Sequence, residues 1–244
     1  MECKLVKVKE NIEISSGIFL INFEGYFVCD PGQFFMLKLP NSEAFLPRPI
    51  SIHDVTSDSL SMVYAVVGKG TSLMTNLKPN DQVQLTGPLG VGFDTSLIQG
   101  KIAIVSGGIG IAPFKFLIKN LLGKKIDMYC GFKNDVYLTD QFRPLVNNLY
   151  ISTEDGSTGY KGFVTDLLKP EDYDIVLTCG PEPMMHKVVS MCKDKGVPSF
   201  VSTEAKMACG IGACLVCTCK TVDGNKRTCK DGPVFRGEEL IINA

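Results

Sequence analysis

The sequence predicts an antiparallel β-barrel over residues 1–98, an α/β unit with a parallel sheet over 99–203, and a small cysteine-rich module over 204–244. Three observations predict this. Up to residue 98 the apolar or alternating runs are short and separated by turn residues, the pattern of a small closed antiparallel sheet. From Lys101 strand-like runs alternate with helical stretches, which implies parallel strands with helices on both faces. Beyond residue 203, Cys209, Cys214, Cys217 and Cys229 follow the order C-x4-C-x2-C…C.

In the barrel, strands are expected at Val6/Val8, Ile18 to Phe23, Phe34 to Leu39, Leu60 to Val67 and Val83/Leu85. Gly25, Asp30-Pro31-Gly32, Pro40-Asn41 and Pro79-Asn80-Asp81 supply turns, and only Ser72 to Leu77 reads as helix. In the α/β unit, strands are expected at Ile102–Val105, Ile126–Cys130, Tyr150–Ser152, Asp174–Thr178 and Pro198–Ser202. Helices are expected at Pro113–Leu122, Gly162–Leu168 and Glu182–Lys195.

The tail spacing is the ligand spacing of plant-type 2Fe–2S proteins. Gly210 and Gly212 let the loop bring backbone N–H groups close to sulfide, because a residue without Cβ adopts positive φ readily. Cys214-x-x-Cys217 is also half of a zinc pattern, but zinc sites usually offer a second close pair and Cys229 stands alone. Cys219, expected on one strand face with Cys217, reads either as a competing ligand or as a small buried hydrophobe.

Composition narrows the class. The chain of 244 residues has room for two domains and an appended module. Its formal net charge of −1 and its lack of a Lys/Arg block give no attraction to nucleic acid or acidic lipid. No apolar stretch follows Met1 as in a signal peptide. The run Ile102 to Ile118 is too broken by Gly107-Gly108, Pro113 and Lys115 to span a membrane. Ten cysteines without a secretion signal imply a reducing, cytoplasmic setting.

Two glycine turns follow strands of the α/β unit, where open parallel sheets bind ligands. Val105-Ser106-Gly107-Gly108-Ile109-Gly110-Ile111-Ala112-Pro113 suits a pyrophosphate at a helix start, or simply a tight turn. Thr178-Cys179-Gly180-Pro181 repeats the geometry and would aim Cys179 into the crevice. In the barrel, Pro47-Arg48-Pro49-Ile50-Ser51-Ile52 is expected as a strand on which Arg48 could pair with a phosphate and Ser51 could bond a polar ring edge, and Gly68-Lys69-Gly70-Thr71 leads into a helix. Hydride carriers exchange two electrons and an iron–sulfur cluster exchanges one, so a chain with both sites needs a flavin between them.

Arg48-Pro49-Ile50-Ser51, Gly68-Lys69-Gly70-Thr71, Gly87-Pro88-Leu89-Gly90, Gly107-Gly108-Ile109-Gly110 and Cys179-Gly180-Pro181, in this order, resemble the ferredoxin–NADP reductase superfamily. The tail, Met207-Ala208-Cys209-Gly210-Ile211-Gly212-Ala213-Cys214 with Cys229 to Phe235, is similar to electron-transfer subunits of class 1B dihydroorotate dehydrogenases. The resemblance implies FAD at Arg48, Pro49, Ile50, Ser51, Gly68, Gly70 and Thr71. It implies NAD at Gly108, Gly110 and Gly180, with Cys179 as the catalytic residue near the transferring carbon. It also implies a partner subunit carrying FMN, the dihydroorotate dehydrogenase catalytic subunit, in a two-plus-two heterotetramer serving pyrimidine biosynthesis. Glu154 and Asp155 would repel a 2′-phosphate and accept from ribose hydroxyls, which favours NAD over NADP. Ile211, Leu215, Val216, Val234 and Phe235 exceed what so small a module could bury alone and suggest a covered surface. His53 and His186 read as bystanders, with a flavin contact left open for His53.

Two other readings stand beside this one. One is a subunit of an NAD(P)H:ferredoxin or sulfide oxidoreductase, a group whose first ligand position often carries aspartate where this chain has Cys209. The other is a non-catalytic metal-binding scaffold protein.

Overall fold

A computed structural model describes residues 1–40 and 43–241. Asn41 of the expected Pro40-Asn41 turn, and the last three residues of the expected tail module, lie outside the described residues.

Six strands close a barrel: β1 (Glu2–Ser15), β2 (Ile18–Glu24), β3 (Phe34–Lys38), β4 (Arg48–Val55), β5 (Ser59–Ala65) and β6 (Gln82–Leu89), in the order β1-β2-β5-β4-β3-β6. Alternation decides which face turns inward. Val6 and Val8 on β1, Ile21 and Phe23 on β2, Leu60 and Met62 on β5, and Val83 and Leu85 on β6 fill the interior. β4 carries a bulge, since Ile52 pairs with Met62 but Asp54 pairs with Ser61.

Between β5 and β6 lies helix α1 (Lys69–Met74), three residues before the expected Ser72 start. Thr71 sets that early start. Its hydroxyl accepts from the N–H groups of Val67 and Gly68 and donates to Gly68 O.

The second unit runs β7 (Lys101–Gly107), α2 (Phe114–Asn120), β8 (Lys125–Phe132), α3 (Thr139–Phe142), β9 (Asn148–Thr153), β10 (Tyr160–Lys161), β11 (Ile175–Cys179), α4 (Glu182–Lys195) and β12 (Ser199–Ser202). On α4, Met185, Val188, Val189 and Cys192 are buried, the helical spacing of one apolar face. The expected helix over Gly162–Leu168 is instead a single 3-10 turn, Val164–Asp166. Gly162 at φ 139° and the Asp166 carboxylate, which accepts from Phe163 N, hold the chain to that one turn.

The tail adds the hairpin β13 (Thr218–Thr221) and β14 (Gly224–Arg227), then β15 (Val234–Arg236). β15 joins the large sheet, whose order is β10-β9-β8-β7-β11-β12-β15. Every pairing in that sheet is parallel except β15 on β12, which is antiparallel. Val234 and Phe235 are therefore buried, and full burial of such side chains contributes about 1.5–3 kcal/mol each. Ile211, Leu215 and Val216 stay exposed, so the five apolar tail residues divide between the sheet and the surface. Among the described residues no helix is long and apolar enough to cross a membrane.

Candidate functional site: a cavity, a crevice and four thiols

A cavity of about 290 Å³ lies where the barrel, the β7–α2 turn and the start of the tail meet. Arg48, Pro49, Ile50, Ser51 and Thr71 line it from the barrel, and Ile109, Ala112 and Pro113 line it from the turn. That volume is at the lower limit of small-molecule sites, so it suits a ring system rather than a whole dinucleotide. Arg48 sits over Gly70, where any Cβ would strike the guanidinium, and it donates to Leu46 O. The Thr71 hydroxyl is consumed in capping α1, so it offers the cavity little beyond its methyl group. Gly68 is exposed with open space around it.

The two glycine turns stand side by side because Ser106 on β7 pairs with Cys179 on β11. Gly110 packs on the backbone of Cys179 and Gly180, and Gly180 packs on Gly107. These two glycines weld the turns together. Gly108 keeps an open face, with the Tyr137 hydroxyl 3.8 Å from where its Cβ would lie.

Cys179 is 2% exposed and is not among the cavity lining. Burial, then the nearby Glu204 carboxylate, push its thiol pKa far up, with Ser202 opposing. It is a neutral, buried thiol whose backbone packs against the first glycine turn. Glu204 lines the cavity from the tail side, and desolvation by the surrounding walls raises its carboxyl pKa.

At the end of β9, the Asp155 carboxylate accepts from Ser157 N at 2.9 Å and Ser157 Oγ at 2.7 Å, which holds it below the usual range. Asp155 thus serves its own turn. Glu154 is exposed, and among the described residues its carboxylate has no partner.

The four tail thiols come together in two pairs. Cys209 contacts Cys214, and Cys217 contacts Cys229. Backbone N–H groups point at the sulfurs: Ile211 and Cys214 at Cys209 (3.5 and 3.4 Å), Gly212 at Cys229 (3.1 Å), and Cys229 at Cys217 (3.5 Å). Against a desolvation that raises it, the N–H groups of Ile211 and Cys214 and the Cys214 thiol draw Cys209 down to about 6. Burial and Cys217 push Cys229 up to about 12.

Two thiol pairs fit a two-iron cluster held by four cysteines. Cys219 points its thiol at Lys226 O on the hairpin. The strand face expected to join it to Cys217 is missing, because β13 begins at Thr218.

Cavity and thiols share a wall. Cys217 and Cys229 pack with Phe34, Met36, Leu89, Ala205 and Met207, and three of these (Phe34, Ala205 and Met207) also line the cavity. Phe34, Tyr64 and Glu204 carry no motif. Only their neighbours in the fold mark them.

Residues 204–241 match the family described as the iron-sulfur cluster binding domain of dihydroorotate dehydrogenase B. The dihydroorotate dehydrogenase B (NAD+) electron transfer subunit of Clostridium acetobutylicum is 54% identical over 97% of this chain and 96% of its own length. That of Clostridium perfringens is 51% identical over 96% of each. Among solved structures, an NADH-dependent reduced ferredoxin–NADP oxidoreductase superposes with a TM-score of 0.86 at 29% identity, covering 98% of this chain and 90% of that one. A ferredoxin NADP+ reductase from Neisseria gonorrhoeae, with bound FAD and NADP, gives 0.69 at 16% identity over 80% of this chain and 92% of that one, a likeness of fold. With a barrel, a nucleotide-type sheet and a four-thiol tail in one chain, and more than half its residues shared along almost the whole length, the chain belongs to the family of dihydroorotate dehydrogenase B (NAD+) electron transfer subunits.

Proposed function

We propose that the chain carries electrons between a dihydroorotate-oxidising partner subunit and NAD. Its working parts are FAD in the cavity, NAD at the crevice and a 2Fe–2S cluster on Cys209, Cys214, Cys217 and Cys229. The observation that carries this reading is the shared wall, since Phe34, Ala205 and Met207 separate the cavity from the inner thiol pair by one layer of side chains. When bound, the flavin exchanges two electrons with a nicotinamide or one with a cluster.

Each residue then has a task. Arg48, braced by Gly70, pairs with a flavin phosphate. Pro49, Ile50 and Ser51 present the strand edge to the ring, and Gly68 leaves room for the chain of the cofactor. Gly108 admits the dinucleotide, while Gly110 and Gly180 hold the two turns together. Cys179 stays neutral, excludes water and sets the floor under the nicotinamide. Glu154 accepts from the adenosine ribose, which favours NAD. The working units are residues 1–98, 99–203 and 204–244. The setting is cytoplasmic, as ten cysteines in a chain of this size without a secretion signal imply.

The partner is an FMN-carrying catalytic subunit, assembled two plus two. It meets the face that presents the exposed Cys214 with Ile211, Leu215 and Val216. The isolated chain is expected to show flavin and 2Fe–2S absorbance and to oxidise NADH with an artificial acceptor. NAD-linked dihydroorotate oxidation is expected only after the partner is added. A colourless chain, or one that oxidises dihydroorotate alone, overturns the reading. Rapid ferredoxin reduction by the complex would favour instead the chemistry of the 29%-identical relative.

A further inference from the structure

The barrel wall of the cavity and the two glycine turns belong to different units, and a polar joint fixes one against the other. It starts at the β4 bulge, where the extra residue lets two neighbours, His53 and Asp54, both turn toward the α/β unit. His53 is 1% exposed and its Nδ1 lies 2.7 Å from Ala112 O. Ala112 ends the Gly108–Ile111 turn and lines the cavity. The ring meets Phe142 edge-on at 6.4 Å, and its Nε2 lies 3.5 Å from Gln141 Oε1.

That oxygen already accepts from Lys115 Nζ at 2.7 Å. Burial first of all, helped by Lys115, lowers the ring's pKa against the opposing pull of the Ala112 O and Gln141 contacts and of Asp54. The ring is therefore neutral with its proton on Nδ1, donating to Ala112 O. Beside it, Asp54 is 7% exposed and accepts from Lys119 Nζ at 2.6 Å, with Lys115 Nζ at 3.3 Å. Both lysines stand on α2, the helix that begins just after the glycine turn. The same strand, two residues earlier, presents Ser51 to the cavity.

We propose that His53 is a positioning residue for the hydride transfer proposed above: its Nδ1–H bond to Ala112 O, backed by the Asp54–Lys115–Lys119 cluster, sets the spacing between the flavin strand and the nicotinamide turn. Hydride transfer depends steeply on such spacing, and a misplacement of about 1 Å costs up to about a hundredfold in rate. The proposal rests on FAD and NAD occupying the cavity and crevice as above.

The test uses the full chain with FAD. His53→Asn keeps a donor at the Nδ1 position, His53→Gln moves it to the Nε2 position, and His53→Leu removes it. FAD affinity by fluorescence titration is expected to stay within about twofold in all three, since no flavin contact is lost. For Leu and Gln, the limiting rate of flavin reduction by NADH should fall at least about tenfold, with the NADH–flavin charge-transfer band weakened and KM for NADH little changed. Asn should recover to within about threefold of the parent. Equal rates for Asn and Gln, or a parent-like rate and band for Leu, overturn the proposal. If Leu fails to fold, the Asn–Gln comparison decides. Hydrogen exchange of the Gly108–Ala112 amides, read without NADH, should quicken in Gln and Leu and not in Asn. A parent protein that NADH does not reduce counts against the proposed function, while the exchange pattern still judges the joint.

Discussion

Glu154 and Asp155 look interchangeable in sequence, yet only Glu154 has a free carboxylate. Glu154→Arg is expected to raise the preference for NADPH, read as the ratio of kcat/KM for the two nucleotides. A positive side chain there replaces repulsion of a 2′-phosphate with a charge-assisted bond. Asp155→Arg should loosen the turn without that shift, and equal ratios for both variants would remove Glu154 from the nucleotide site. His53 makes a second prediction, about pH. Its pKa in the fold lies below 6.5, so between the folded value and 6.5 the unfolded chain binds more protons. Its contribution to stability is full above pH 6.5 and is lost as pH falls toward the folded value. Urea unfolding from pH 7 down to 5 is expected to show a shallower decline in His53→Asn than in the parent, and parallel curves would refute it.

At the scale of elements, the ligand loop depends on two backbone positions. Gly210 has φ +72° and a Cβ there would lie 2.6 Å from Met36 Cγ; Gly212 has φ +82° and donates to Cys229 Sγ. A residue other than glycine at such φ costs about 1–3 kcal/mol. Gly210→Ala is expected to lower iron content and weaken the cluster absorbance while FAD stays bound. Full iron retention would show that the loop tolerates the strain. Cys219→Ser should spare the cluster, and serine at any of the four proposed ligands, Cys209, Cys214, Cys217 and Cys229, should not.

These elements were legible to different degrees. The C-x4-C-x2-C…C spacing, the two glycine turns and the Arg48–Ser51 strand stood out because each is local and depends on a short run of neighbours. The early start of α1 was not legible, because it is decided by one Thr71 hydroxyl. The single turn at Val164–Asp166 was hidden for a similar reason, in a carboxylate that caps its own neighbour. Glu204 and the His53–Ala112 bond were invisible, since each gains its meaning only from residues distant in the chain.

At the scale of the whole molecule, electrons have an inner and an outer end to their station. Cys217 and Cys229 are buried against the cavity wall, while Cys214 lies exposed among Ile211, Leu215 and Val216. The β15 strand bears on how freely such parts could be traded between proteins. Because Val234–Arg236 closes the sheet beside β12, the metal-binding tail is stitched into its host rather than strung after it. Cutting the chain at residue 203 would not yield a smaller reductase. It would strip the cover from Val201 and leave the backbone of Ser199–Ser202 as a raw edge, the kind that recruits other chains into aggregates.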